Sequence, residues 1–113
     1  MTAAGSTVFG TLREFRAFEK RHMGFLRTIE EHDLVLEIGY HQATRAPLML
    51  KQLFLLDIGS VATIRRRMRR LRHLGAVLQK RSEADRRAVK ITLSPKLLKI
   101  FARYGELLTS GRS

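Results

Sequence analysis

The sequence contains no cysteine. It can therefore form no disulfide, present no thiolate nucleophile and assemble no zinc site from cysteine ligands. It also lacks an apolar run of the roughly 18 residues that a membrane-spanning helix needs. The first ten residues, MTAAGSTVFG, show no basic stretch followed by an apolar one, which predicts that there is no secretory signal. By default we expect a cytoplasmic protein.

Acidic residues are scarce as well. The 113 residues include 10 Asp and Glu against 22 Lys and Arg, which gives a formal net charge of +12. Eleven of the basic residues, but only the acidic Glu83 and Asp85, fall between residues 60 and 90, so this segment carries +9 and the other 82 residues together carry +3. Because a basic chain attracts polyanions, the concentrated charge predicts a surface for nucleic acid, with an acidic membrane surface as the second class.

The length fits a single domain over residues 1–113, and the apolar periodicity predicts a mainly α-helical chain with a small β-hairpin. Capping residues indicate where elements begin and end: Ser60 is a candidate N-cap, Gly75 a candidate C-cap and Ser94-Pro95 a candidate helix start. The predicted elements are a helix over 11–31 that begins at the capping-box pair Thr11 and Glu14, a second helix from Asp33, a third over 48–56, a fourth over 60–74, strands over 76–81 and 87–93, and a last helix over 95–109.

The order of these elements has a recognisable architecture. A turn at 57–60 separates the third and fourth helices, and the hairpin follows the fourth helix directly. A helix-turn-helix followed by a hairpin is the winged helix-turn-helix arrangement. The sequence therefore predicts a helix-turn-helix with its wing over residues 47–93.

The fourth helix carries most of the excess charge. Ile64, Met68 and Leu71 recur at spacings of three and four and predict its buried stripe. On a helical wheel the opposite face carries Ala62, Thr63, Arg66, Arg69, Arg70 and His73, and the flanks carry Arg65, Arg67 and Arg72. Surface helices usually balance such charges with acidic residues at i+4, and this helix has none. A helix fits the major groove of DNA, where arginine can bind guanine through two hydrogen bonds, while flanking arginines suit phosphates.

Several short segments along the fourth helix and the hairpin also carry a family resemblance: Ala62-Thr63-Ile64, Arg69-Arg70-Leu71, Leu74-Gly75-Ala76-Val77, residues 81–87, and Thr92-Leu93-Ser94. Over residues 48–95 the sequence resembles the DNA-binding core of MarR-type transcriptional regulators. In that family the recognition helix ends at a glycine, and the wing carries an Asp-x-Arg pair that corresponds here to Asp85 and Arg87. The resemblance implies that Arg87 enters the minor groove, where the potential is most negative, and that Asp85 orients basic groups of the wing or of the recognition helix.

We therefore expect a sequence-specific transcriptional regulator of double-stranded DNA that associates with the nucleoid. The recognition helix over 60–74 would lie in the major groove and the wing over 82–87 in the minor groove. The candidate DNA-binding residues are Ser60, Ala62, Thr63, Arg65, Arg66, Arg67, Arg69, Arg70, Arg81, Asp85, Arg86 and Arg87.

The first and last predicted helices have wide apolar faces that are rich in Phe and Leu. A small core cannot cover both faces, and an exposed apolar patch usually marks a partner surface. We expect a homodimer through the N-terminal and C-terminal helices, which would place two recognition helices about one DNA turn apart. The alternative is that these side chains close the core of a monomer.

The sequence predicts no enzyme. Its four histidines are scattered without metal-ligand spacing, and none of its glycines belongs to a phosphate-binding loop. We expect no catalytic site, cofactor, metal or membrane partner, and the sequence leaves open whether a small-molecule effector exists. Two other functions remain: an architectural or accessory DNA-binding module with little sequence preference, and a winged helix whose basic face meets an acidic protein. Ala62 and Thr63 beside Arg66 favour a regulator, because small residues let a helix approach base edges.

Overall fold

The computed structural model describes residues 3–44 and 46–110. Its elements are, in chain order, helix α1 (Ala3–His22), helix α2 (Ile29–Thr44), strand β1 (Leu48–Met49), helix α3 (Leu50–Leu53), helix α4 (Val61–His73), strand β2 (Val77–Arg81), strand β3 (Val89–Leu93) and helix α5 (Pro95–Ser110). The chain divides into two compact units: Arg27–Leu98 forms the central unit, and the segments before and after it form the terminal unit. The mainly helical fold with a small antiparallel sheet is confirmed, whereas the single domain over residues 1–113 stays a prediction.

The central unit is built on a three-stranded antiparallel sheet in the order β1-β3-β2. Strands β2 and β3 pair from Val77 opposite Leu93 to Arg81 opposite Val89, which confirms the hairpin. Helix α2 packs on β3, where the Gln42 Oε1 accepts a hydrogen bond from the Leu93 amide at 2.9 Å. The fully buried side chains of this unit's core are mostly aliphatic and include Leu34, Val35, Ile38, Leu53, Ile64, Leu71, Val77, Ile91 and Leu97.

Residues 48–56 do not form the third helix that their apolar character predicted. Leu48–Met49 is a strand that pairs with β3, and the helix that follows covers only Leu50–Leu53 before turns begin. Leu55 is 85% exposed, so continuing the helix would bury no further apolar face, and helices this short depend on burial for their stability. A strand of two residues shows no alternation, and for this reason the sequence pattern could not distinguish it from a helix.

The predicted helix over 11–31 differs from the structure at both ends. Helix α1 begins at Ala3, so Thr11 and Glu14 lie inside the helix and are not a capping box. It ends at His22, before Gly24, a residue that costs a helix about 1 kcal/mol relative to alanine. The apolar spacing continues past this break, and it therefore concealed the end of the helix.

Helix α2 begins at Ile29 and not at Asp33. Its start is set by Thr28, whose Oγ1 accepts a hydrogen bond from the Glu31 amide at 3.2 Å in the manner of an N-cap. Ile29, the first residue of this helix, is 74% exposed. Asp33 lies within the second turn of the helix and caps nothing.

The start of helix α5 agrees with the prediction. Pro95 is its first residue, and the Ser94 Oγ accepts a hydrogen bond from the Leu97 amide at 3.2 Å. Proline suits this position because the first amides of a helix have no partner within it.

The terminal unit contains α1 and α5 from Lys99 onward. The Tyr104 ring lies 5.3 Å from the rings of both Phe15 and Phe18, and its hydroxyl donates a hydrogen bond to the Glu19 Oε1 at 3.2 Å. Burial, together with the charge and hydrogen bond of Glu19, raises the pKa of Tyr104, so the phenol keeps the proton that it donates. Further along α1, the side chains of Val8, Phe9 and Leu12 are at least half exposed.

Over the described residues, no helix combines the length and the apolar character that crossing a bilayer requires.

Candidate nucleic-acid interface

Helix α4 is held by its N-cap and by its buried stripe. The Ser60 Oγ accepts the Thr63 amide at 3.2 Å, which confirms Ser60 as the N-cap. Ile64, Met68 and Leu71 are buried as predicted. The buried stripe therefore fixes the rotation of the helix about its own axis. This rotation sets the direction in which each arginine side chain leaves the helix.

The end of α4 is equally well defined. Gly75 has a φ of +75°, a conformation that glycine adopts without the penalty other residues incur. The Ala76 amide donates to the Leu71 carbonyl at 3.0 Å, and the Gly75 amide donates to the Arg72 carbonyl at 2.9 Å. These two bonds form a Schellman motif, which ends the helix and turns the chain into β2.

The exposed face of α4 begins with small side chains and continues with arginines. Ala62 is exposed, and Thr63 is half-buried with its hydroxyl 3.0 Å from that of Ser60. Arg65, Arg66 and Arg69 are exposed, and none of them forms an ion pair with a described residue. This face combines room for close approach with uncompensated positive charge.

A cleft of about 160 Å³ between α3, α4 and β2 brings three of the arginines together. The Arg65 guanidinium stacks on Phe54, with its Cζ 5.1 Å from the ring centre. Arg72 Nη1 donates a hydrogen bond to the Gln79 Oε1 at 2.9 Å, and Arg69 also lines the cleft. Stacking and hydrogen bonding restrict two of these guanidinium groups before any ligand arrives, an arrangement that suits the capture of a phosphate.

Two arginines of α4 point toward the protein and not away from it. The side chain of Arg70, predicted to lie on the open face, is 23% exposed, and its Nη1 donates a hydrogen bond to the buried Glu31 Oε1 at 2.7 Å. Arg67 is half-buried, and its Nε is buried without a hydrogen-bond partner among the described residues. The helical wheel placed Arg70 on the open face because a wheel shows only the direction in which each side chain leaves its own helix. It carries no information about Glu31 on α2, which draws Arg70 toward the protein.

The wing loop over 82–88 is shaped by its own hydrogen bonds. The Ser82 amide donates to the Ala88 carbonyl at 2.8 Å, and the Ala88 amide donates to the Asp85 carbonyl at 3.0 Å. Asp85 Oδ1 accepts the Arg87 amide at 3.0 Å. Asp85 thus fixes the backbone on which Arg87 stands, and it forms no ion pair with a guanidinium of the described chain.

The arginines of the wing divide in the same way as those of the helix. Arg81 Nη1 donates a hydrogen bond to the Arg86 carbonyl at 2.8 Å, so its guanidinium supports the loop. Arg86 and Arg87 are exposed, and neither forms an ion pair among the described residues. The wing loop therefore presents two exposed positive side chains that no described acidic residue neutralises.

Glu31 also shapes this surface, and it was not among the residues predicted from the sequence. A signal was present: Thr28 and Glu31 have the spacing of a capping box, which marks the first turn of a helix. Recognising it would have moved the start of α2 and placed the Glu31 carboxylate at the N-terminal end of the helix, near the free backbone amides. The pairing with Arg70, 39 residues away, has no local signal.

No metal site accompanies the basic surface, since no three His, Asp or Glu side chains of the described residues come together as ligands.

Similar folds are found among solved structures of transcriptional regulators. MarR superposes with a TM-score of 0.60 at 19% identity, over 98% of this chain and 79% of that one. Overoxidized AbfR bound to DNA gives a TM-score of 0.59 at 22% identity, over 95% and 79% of the two chains. The regulator Tm0710 from Thermotoga maritima gives 0.56 at 20% identity, over 97% and 78%. The fold is that of the MarR-type winged helix.

No protein-family model matches the sequence, and no curated protein matches it. The resemblance over residues 48–95 is thus confirmed at the level of fold. In the terms of that fold, α4 is the second helix of the helix-turn-helix and the β2–β3 hairpin is the wing.

Proposed function

We propose that this chain is a sequence-specific transcriptional regulator that binds double-stranded DNA as a homodimer. The recognition helix enters the major groove, and the wing reaches the adjacent minor groove. The observation that carries the proposal is the face formed by Arg65, Arg66 and Arg69, which are exposed and form no ion pair with a described residue, on a helix held by its caps and core. A helix of this kind is what fits the major groove and reads base edges.

The arginines take different roles within this proposal. Arg66, beside the small Ala62 and Thr63, reads a base edge, because the helix can approach most closely there. Arg65, Arg69 and Arg72 surround the cleft against α3 and β2 and hold a backbone phosphate, which fixes register without reading sequence. The contacts of Arg65 with Phe54 and of Arg72 with Gln79 restrict these two side chains and so lower the entropy lost on binding.

The wing supplies the second contact. Arg86 and Arg87 project from a loop closed by internal hydrogen bonds, and Arg87 enters the minor groove. A narrow minor groove concentrates negative potential, so this contact favours A·T-rich sequence without reading individual bases.

Dimerisation is proposed through the terminal unit. Val8, Phe9, Leu12 and Leu108 are large apolar side chains with exposed fractions between 43% and 59%. Several such residues on one small unit point to a partner surface, and a second copy of the chain supplies it with two-fold symmetry. A cytoplasmic location, the lack of catalysis and the lack of a cofactor stay predictions.

An architectural DNA-binding module with little sequence preference would use the same basic surface. The small residues at the start of α4 favour a regulator that reads bases, because they let the helix approach base edges. The other alternative is a winged helix whose basic face binds an acidic protein. Measuring whether the chain binds duplex DNA, and how steeply that binding depends on salt, tests this alternative.

With about 6–10 phosphate contacts in a dimer, the logarithm of the DNA association constant should fall with log[salt] at about −0.9 per contact. Fluorescence anisotropy with a labelled duplex at several salt concentrations measures this slope. A flat dependence, or no binding to any duplex, contradicts the proposal.

A further inference from the structure

Glu31 is the one fully buried charged side chain among the described residues, with an exposed fraction of 0%. Two hydrogen bonds hold Glu31 at the start of α2, one through its backbone amide and one through its carboxylate. The Glu31 amide donates to the Thr28 Oγ1 at 3.2 Å, and the Glu31 Oε1 accepts the Arg27 amide at 2.7 Å. The carboxylate is therefore held in place independently of α4.

The same oxygen accepts the Nη1 of Arg70 at 2.7 Å, which ties the last turns of α4 to the first turn of α2. The other oxygen, Oε2, is buried and accepts no hydrogen bond from a described residue. Burying a carboxylate is costly, and an ion pair with one unsatisfied oxygen returns little net stability. What such a pair supplies is a fixed geometry between the two helices.

We infer that Glu31 and Arg70 are positioning residues that set the orientation of α4 in the major groove, and that Arg70 makes no contact with DNA. The inference rests on the proposed function and deepens it, because it names residues on which specificity depends although they lie outside the interface. The buried stripe fixes rotation about the helix axis, and the pair adds a polar point of attachment near the C-terminal end of the helix. Loss of the pair frees that end to shift and moves Arg66 relative to the base edges.

The test compares Glu31→Gln, Arg70→Met and the double variant with Arg69→Met as the control. Arg69 is the exposed neighbour of Arg70, so the control removes the same charge from the same helix. Each protein is tested for binding to the preferred duplex and to a scrambled duplex over a range of salt. Circular dichroism at the working temperature confirms that each is folded.

We expect Glu31→Gln and Arg70→Met each to lower the ratio of preferred to scrambled affinity by about tenfold, an effect of the size that contacting pairs show. The salt slope should stay at the parent value in both. The double variant should have an affinity ratio no lower than that of the single variant with the lower ratio. Arg70→Lys can still pair with Glu31 and should retain the ratio within about twofold. Arg69→Met should instead reduce the slope by about 0.9, as the loss of one phosphate contact does.

A merely structural pair would lower stability and leave the specificity ratio of the folded protein unchanged, and that result would overturn the inference. So would a slope reduced by about 0.9 in Arg70→Met. If a single variant does not fold, the affinity ratio of the double variant, which lacks both charges of the pair, is compared with that of Arg70→Lys, which retains the pair.

If the parent protein binds no duplex or prefers none, the proposed function fails, and amide hydrogen exchange in the free protein decides the inference separately. Faster exchange along α4 in Glu31→Gln and Arg70→Met than in Arg69→Met supports the attachment. Equal exchange in all three overturns it.

Discussion

At the scale of the residue, the arginines of α4 are alike in sequence and distinct in structure. Arg66 is open, Arg65 is stacked on Phe54, Arg72 is hydrogen-bonded to Gln79 and Arg70 is paired with Glu31. Net charge counts all of them equally, whereas contact with DNA depends on which guanidinium groups remain available. Substitutions should therefore separate into those that change sequence preference and those that change affinity alone.

Arg66→Ala should cost about 1–3 kcal/mol in binding and relax the preference at one base position, because the side chain proposed to read a base edge is removed. Arg72→Ala is the matched control: it should weaken binding to all duplexes about equally, because its proposed contact is a phosphate. Binding to a panel of single-base duplex variants measures both. Equal and sequence-independent losses for the two variants would support the architectural alternative.

Arg87→Ala should remove the preference for A·T-rich flanks and leave the central motif readable, because minor-groove width is the feature that Arg87 is proposed to sense. The measurement is binding to operators whose flanks have been exchanged between A·T-rich and G·C-rich sequence. Lys80, on β2, provides a charge-matched control as Lys80→Ala. If Arg87→Ala keeps the flank preference, the wing does not enter the minor groove.

At the scale of the element, the C-terminal end of α4 depends on one backbone conformation. An added Cβ at Gly75 would meet no atom within 4 Å, so any cost of Gly75→Ala comes from its φ of +75°. We expect a loss of about 1 kcal/mol in the free energy of unfolding. Gly10→Ala is the control, since Gly10 also has open space around it but lies inside α1. There alanine should raise the free energy of unfolding by about 0.5–1 kcal/mol. Chemical denaturation measures both, and a neutral Gly75→Ala would contradict the assigned cap.

The ends of α4 and the start of α5 were predicted from the sequence because capping residues mark them, whereas strand β1 was not predicted. Ser60, Gly75 and Ser94-Pro95 placed the ends of α4 and the start of α5 within a residue. Strand β1 was not predicted because its two residues pair with β3, about 40 positions away in the sequence. The local sequence pattern does not indicate a pairing at that distance. The exposed arginines of the site were predictable from periodicity, whereas the burial of Arg70 depended on the same kind of distant contact.

At the scale of the whole molecule, the proposed dimer depends on exposed apolar side chains of the terminal unit. Leu12→Arg should convert the dimer to a monomer, because a charge replaces a half-exposed leucine within the proposed interface. Leu36→Arg, the same substitution at a 62% exposed position of α2, is the matched control and should stay dimeric. Analytical ultracentrifugation measures the mass of each. If only Leu36→Arg dissociates, the interface lies on α2 and not on the terminal helices.

In the proposed regulator, a rigid recognition helix, a wing and two-fold symmetry act together as one DNA-binding unit. Selection of bound sequences from a pool of random duplex DNA with the full chain, read by sequencing, tests these parts together. The predicted result is a two-fold symmetric motif whose half-sites are centred about 10 base pairs apart, with A·T-rich sequence outside them. A bound pool with no enriched motif, or with a motif that lacks two-fold symmetry, would contradict the account.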